Sequence, residues 1–185
     1  GQALHDYPMV YNATAPNTVL YEAAVKKLLN NPENKNFIIV NCNSNDNRGK
    51  TFSHALTQEL NQRSMHSKSL LLEDNDAAYE NVLDPTQENF ILLDDSSVRS
   101  LSIMMARIKD FRQKHPTYNL SLIGYTEWLN ETEKHLDNFF VANTYIASPY
   151  YYNVLDEKNK EFQRTYEKNF QSYMTPGNPR YAALG

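Results

Sequence analysis

Short apolar runs recur along the chain, and polar clusters separate them. Phe37-Ile38-Ile39-Val40-Asn41-Cys42 is one, and Phe90-Ile91-Leu92-Leu93-Asp94-Asp95 repeats its form. Leu120-Ser121-Leu122-Ile123-Gly124-Tyr125 does so again. Ser69-Leu70-Leu71-Leu72 and the run from Phe140 to Ile146 complete the set. Runs that are apolar on both faces predict buried parallel strands, because helices cover both sides of such a sheet.

Helical patterns lie between them. Thr18 to Asn30 carries Val19, Ala23, Leu28 and Leu29, with two lysines near its end where the helix dipole favours cations. Thr51 to Gln62 places Phe52, Ala55, Leu56 and Leu60 on one face. Val98 to Lys114 does the same with Leu101, Met104, Met105, Ile108 and Phe111. Ser96 or Ser97 is its natural N-cap, and His115-Pro116 stops it. Tyr79, Val82 and Leu83 predict a shorter helix. Asp156 to Met174 spaces Phe162, Tyr166, Phe170 and Tyr173 as a helix would.

Alternation of this kind predicts one α/β domain over residues 1–185, a three-layer α/β/α sandwich on a mainly parallel five-stranded sheet. Ligands of such sheets bind beyond the carboxyl ends of the strands. The segments to weigh are therefore Asn43 to Lys50, Glu73 to Asp76, Asp94 to Ser97, Tyr125 to Trp128 and Ser148 to Tyr152.

Composition narrows the classes. The chain has 185 residues, 41% hydrophobic and 22% charged, which suits a folded domain with an ordinary core. A formal net charge of -4 argues against a nucleic-acid partner. No apolar run approaches the ~18 residues of a membrane span. Cys42 is the single cysteine, so no internal disulfide forms. The start at Gly1 and the stop at Gly185 suggest a piece of a longer protein.

Candidate chemistry is sparse. Gly49-Lys50-Thr51 sits where a phosphate loop would open a helix, but Ser44 stands where its first glycine is needed. Asp46 in the same loop would repel phosphate, which leaves Gly49 at a turn. Asp94-Asp95 suits a divalent metal or acid–base work, but the reading favoured is the capping of the helix that follows. The histidines show no metal-ligand spacing, and no nucleophile elbow is present. No cofactor is implied. Tyr125 and Trp128 flank one loop and Tyr150-Tyr151-Tyr152 follow the last strand; such aromatics either meet a partner or pack on their own loops.

Several of these segments resemble a known family. Phe37-Ile38-Ile39-Val40, then Asp46-Asn47-Arg48-Gly49 and a helix with Phe52 and Leu56, resembles one lobe of type I periplasmic binding proteins. Asn143-Thr144-Tyr145-Ile146-Ala147-Ser148-Pro149 looks like their late strand. Phe162, Gln163, Arg164 and Tyr166 look like their F-x-x-x-Y helix, and Pro179 to Gly185 like their P-x-Y-A-x-x-G element. With Gly124-Tyr125-Thr126-Glu127-Trp128, the chain resembles bacterial cell-envelope proteins that carry LysM peptidoglycan-binding repeats.

The resemblance implies the second lobe of a two-lobed, receptor-like protein of the periplasm or cell envelope. Its partners would be the first lobe and a small molecule or cell-wall fragment. Topology puts Asn43, Asp95, Tyr125 and Trp128 forward as ligand-facing residues; they are not matches to the family's own ligand residues. The implied role is non-enzymatic. The alternatives are an interaction scaffold that has lost small-molecule binding and a metal-assisted enzyme on a flavodoxin-like sheet, with Asp94, Asp95 and Lys50 as candidates.

Overall fold

A computed structural model describes residues 17–131 and 142–147. All of them belong to one compact unit, residues 16–147. The helix expected over 156–174, the Tyr150–Tyr152 segment and the Pro179–Gly185 element lie outside the described residues.

The order along the chain is α1 (Asn17–Leu28), β1 (Lys35–Asn41), α2 (Asn47–Gln62), β2 (Lys68–Leu71), α3 (Asp76–Val82), β3 (Glu88–Leu93), α4 (Val98–Lys114), β4 (Asn119–Tyr125), a 3-10 turn (Thr126–Glu131) and β5 (Asn143–Ala147). The strands lie side by side as β2-β1-β3-β4-β5. Every described pairing is parallel, with Phe37 opposite Phe90 and Ile91 opposite Leu122. An α/β sheet flanked by helices is therefore present, and the expected "mainly parallel" becomes wholly parallel over the described strands.

Side chains alternate across the sheet. Phe90, Ile123 and Tyr145 lie on the face toward α1 and α2, where they line a cavity together with Ala24, Leu28 and Phe52. On the other helical pair, Tyr79 of α3 touches Met104 of α4. The core is continuous, with Phe37, Ile38, Val40, Leu92, Leu93 and Leu122 buried beside Phe52, Leu56 and Leu60.

α4 occupies its expected bounds. Ser97 is the N-cap and accepts from Ser100 N, the apolar face from Leu101 to Phe111 is buried, and Arg112 and Lys114 sit in the last turn. α2 differs, beginning at Asn47 and not at Thr51. The Asp46 carboxylate caps it by accepting from Arg48 N and Gly49 N, so a polar first turn is held helical. Gly49 thus lies inside the helix and not at a turn. A Cβ there would stand 2.0 Å from the Asp94 carbonyl oxygen, and this contact sets how closely α2 approaches the end of β3.

β1 starts earlier than its apolar run. Asn36 is buried, and its amide donates to Val82 O at 3.0 Å and to Asn89 Oδ1 at 2.8 Å. Asn89, fully buried, also accepts from Asp84 N and donates to Asp84 O, Gln87 O and Asn119 O. One side chain so joins the amino ends of β1, β3 and β4.

Candidate functional site at the carboxyl ends of the strands

The connections leave β1 toward β2 on one side and β3 toward β4 on the other. That places the topological switch point between β1 and β3, where open sheets of this order hold ligands. The segments after these two strands are cross-linked. Asp94, just past β3, accepts from Cys42 N at 2.7 Å. Asp46, in the segment after β1, accepts from Ser96 N at 2.7 Å with the same oxygen that takes Gly49 N at 3.1 Å. Asp95 turns inward to Ser97 Oγ at 2.7 Å and Ser100 Oγ at 2.6 Å, and accepts from Ser97 N at 3.1 Å.

The segment after β4 closes over the same place. Trp128 is fully buried and its indole ring rests on Gly124, where a Cβ would come within 2.4 Å of Cε3. Tyr125 is also fully buried; its hydroxyl donates to Leu93 O. Its ring meets Tyr21, Phe52 and Trp128 edge-on, with centroids 6.0, 5.6 and 5.3 Å apart. On the surface above, Arg48 of α2 pairs with Glu127.

The electrostatics follow these contacts. Burial alone would raise the Asp46 carboxyl, but donors from Ser96, Gly49 and Arg48 outweigh it and hold it below the usual carboxylate value. For Asp95, burial is again outweighed, here by the Ser100 and Ser97 donors. Burial, followed by the Asp94 charge, pushes the Cys42 thiol up to about 12. Such a thiol is a poor nucleophile at neutral pH.

The four residues put forward from the sequence thus stand in different settings. Asp95, Tyr125 and Trp128 come together around the β3 and β4 ends, and all three are buried and bonded within the fold. Asn43 is exposed, in the left-handed region with φ 52°, where its N–H donates to Asn41 Oδ1 at 2.8 Å. Asp95 holds the Ser97 cap of α4 in place through Ser97 N and Ser97 Oγ and is not itself the cap. Sequence reasoning did not single out Asp46 as a cap or Ser96 as a shared anchor. The Asp-x-Arg-Gly order before a helical pattern was the available signal for the first. None existed for the second.

Among the described residues, no cluster of three or more His, Cys, Asp or Glu side chains is arranged to hold a metal ion. No described helix is long and apolar enough to cross a membrane. A separate cavity of about 300 Å³ opens on the sheet face beside α1 and β5, over Phe90, Ile123 and Tyr145 with Lys27 at its rim.

No family model matches the chain, and no curated protein matches it. Among solved structures it is similar to a protein from Rhodospirillum rubrum described as a branched-chain amino acid ABC transporter, at a TM-score of 0.59 and 10% identity. The similarity covers 93% of this chain and 48% of that one, so the chain spans about half the length of the solved protein. At that identity the likeness is one of fold, and the five parallel strands with their flanking helices match a periplasmic-binding-protein-like lobe.

Proposed function

We propose that the chain acts as the second, ligand-facing lobe of a two-lobed, receptor-like protein, without catalysing a reaction. The carrying observation is the strand order β2-β1-β3-β4-β5 in a fold like half of the solved transporter protein. That order puts the segments after β1, β3 and β4 where a small ligand and a facing lobe would meet them. The polar rim they expose includes Asn43, Asn45 and Lys50. A cell-envelope or periplasmic setting, with a small molecule or cell-wall fragment as ligand, extends the same reading. The non-catalytic role is supported by the Asp46 and Asp95 carboxylates, which the chain's own donors engage, and by the raised Cys42 thiol.

One observation favours a second reading. Tyr125 and Trp128 fill the space at the carboxyl ends of β3 and β4 themselves. A lobe closed in this way suits a scaffold that binds another protein by its surface.

A thermal-shift panel separates the two readings. Amino acids, short peptides, cell-wall fragments and sugars are tested on this chain and on a longer two-lobed protein that contains it. A ligand at ~100 times its Kd adds about 2.7 kcal/mol of stability. A hit on the longer protein, weaker on the lobe alone, supports the receptor. No hit on either overturns it in favour of the scaffold.

A further inference from the structure

We infer that the seam between the β1 and β3 ends, where α2 starts, is closed to anionic groups, so the part of a ligand or facing lobe that meets it is uncharged or cationic. The inference deepens the reading above and rests on it.

An open parallel sheet holds carboxylates and phosphates with free backbone N–H groups, mainly where helices start beyond the strands. Here six of those groups are already occupied. Arg48 N and Gly49 N, in the first turn of α2, donate to Asp46. Ser96 N donates to the same carboxylate, and Cys42 N to Asp94. Ser97 N donates to Asp95, and Ser100 N to the Ser97 hydroxyl at 3.3 Å. The α2 start, ahead of a helix of 16 residues, therefore carries the chain's own acceptor in the place of a ligand's, and Ser97 caps α4 through Ser100 N.

Charge points the same way. An incoming anion would have to displace an aspartate and would still face the charges of Asp46, Asp94 and Asp95. At the α2 start, Arg48 is paired with Glu127, and the Lys50 ammonium donates to Asn45 Oδ1 at 3.3 Å. The exposed Asn43 amide and the Asn45 NH2 remain, and they hydrogen-bond to uncharged groups without a charge penalty.

The test is a titration of the full chain with inorganic phosphate and with acetate, read by backbone amide NMR against sodium chloride at matched ionic strength. The amides of Cys42, Arg48, Gly49, Ser96, Ser97 and Ser100 are expected to show no saturable shift. Saturable shifts at these amides in the wild-type chain overturn the inference. Asp46→Ser removes the main internal acceptor, and saturable phosphate shifts at Gly49 and Ser96 are expected to appear. A folded Asp46→Ser chain that gains none also overturns it. The wild-type titration decides the matter should that variant not fold. A panel ligand that shifts these amides through its own carboxylate or phosphate would defeat this inference and leave the receptor reading standing. A panel without hits defeats the receptor reading alone.

Discussion

The indole N–H of Trp128 donates to the carbonyl oxygen of Ser96 at 2.9 Å, joining the segment after β4 to the segment after β3. Both groups are buried, so the bond is shielded from water. Trp128→Phe keeps most of the ring but leaves the Ser96 carbonyl unpaired, at an expected cost of about 1–2 kcal/mol. Trp128→Ala removes a fully buried ring and is expected to cost about 3–5 kcal/mol. Urea melts of the two variants check both values. Equal stability of wild type and Trp128→Ala would mean that the ring is not packed as described.

Gly49→Ala tests the approach of α2 to β3. Its methyl group would meet backbone atoms of Asp94, at 2.0 Å from the carbonyl oxygen and 2.1 Å from the carbonyl carbon. Backbone yields less readily than a side chain. Alanine ordinarily strengthens a helix, so the sign of the effect is diagnostic. A loss of about 3 kcal/mol is expected in place of a gain. A stabilised Gly49→Ala protein would refute the contact.

Asp46 and Asp95 both have folded-state pKa values lowered by hydrogen bonds that outweigh burial. A lowered value means that the charged form is favoured by folding. That stability is fully present above the ordinary carboxylate value of about 4 and is lost as pH falls through the lower folded values. Denaturant melts from pH 7 to pH 2.5 should therefore show stability falling toward the acid end. Asp46→Asn puts an NH2 where one carboxylate oxygen accepts, and it should be less stable at pH 7 by about 1 kcal/mol and lose less on acidification. Parallel pH profiles for the two proteins would show that Asp46 contributes nothing to the slope.

Cys42 offers a chemical check. With its thiol pushed up to about 12, roughly one part in ten thousand is thiolate at pH 8. A disulfide reagent should label the folded chain at least a hundredfold more slowly than the urea-unfolded chain. Equal rates would place Cys42 in water, away from Asp94.

The sequence carried most of the layer order and less of the site. α4 was legible to its ends because an apolar stripe, a serine cap and His115-Pro116 agree with one another. The start of α2 was not, because Asn47-Arg48-Gly49-Lys50 has no apolar period and is helical only through the Asp46 carboxylate. The first residues of β1 were hidden in the same way, since a buried asparagine such as Asn36 reads as loop until its partner Asn89, 53 positions on, is known. At the site, topology pointed to Asp95, Tyr125 and Trp128. Their burial could not be read, because it depends on Gly124 lacking a Cβ and on the position of a carbonyl 32 residues upstream.

Asn89 sets a limit on how this chain tolerates changes of length. Its side chain holds both the N–H and the C=O of Asp84, and also Gln87 O, at the entry to β3. An extra residue inserted between Asp84 and Gln87 would move one of these groups out of reach and unseat the asparagine. β1 and β4 would then lose the tie through Asn36 and Asn119. Insertions and deletions, tags and grafted peptides should therefore be rejected in this short connection even though it lies far from the loops proposed to meet a ligand.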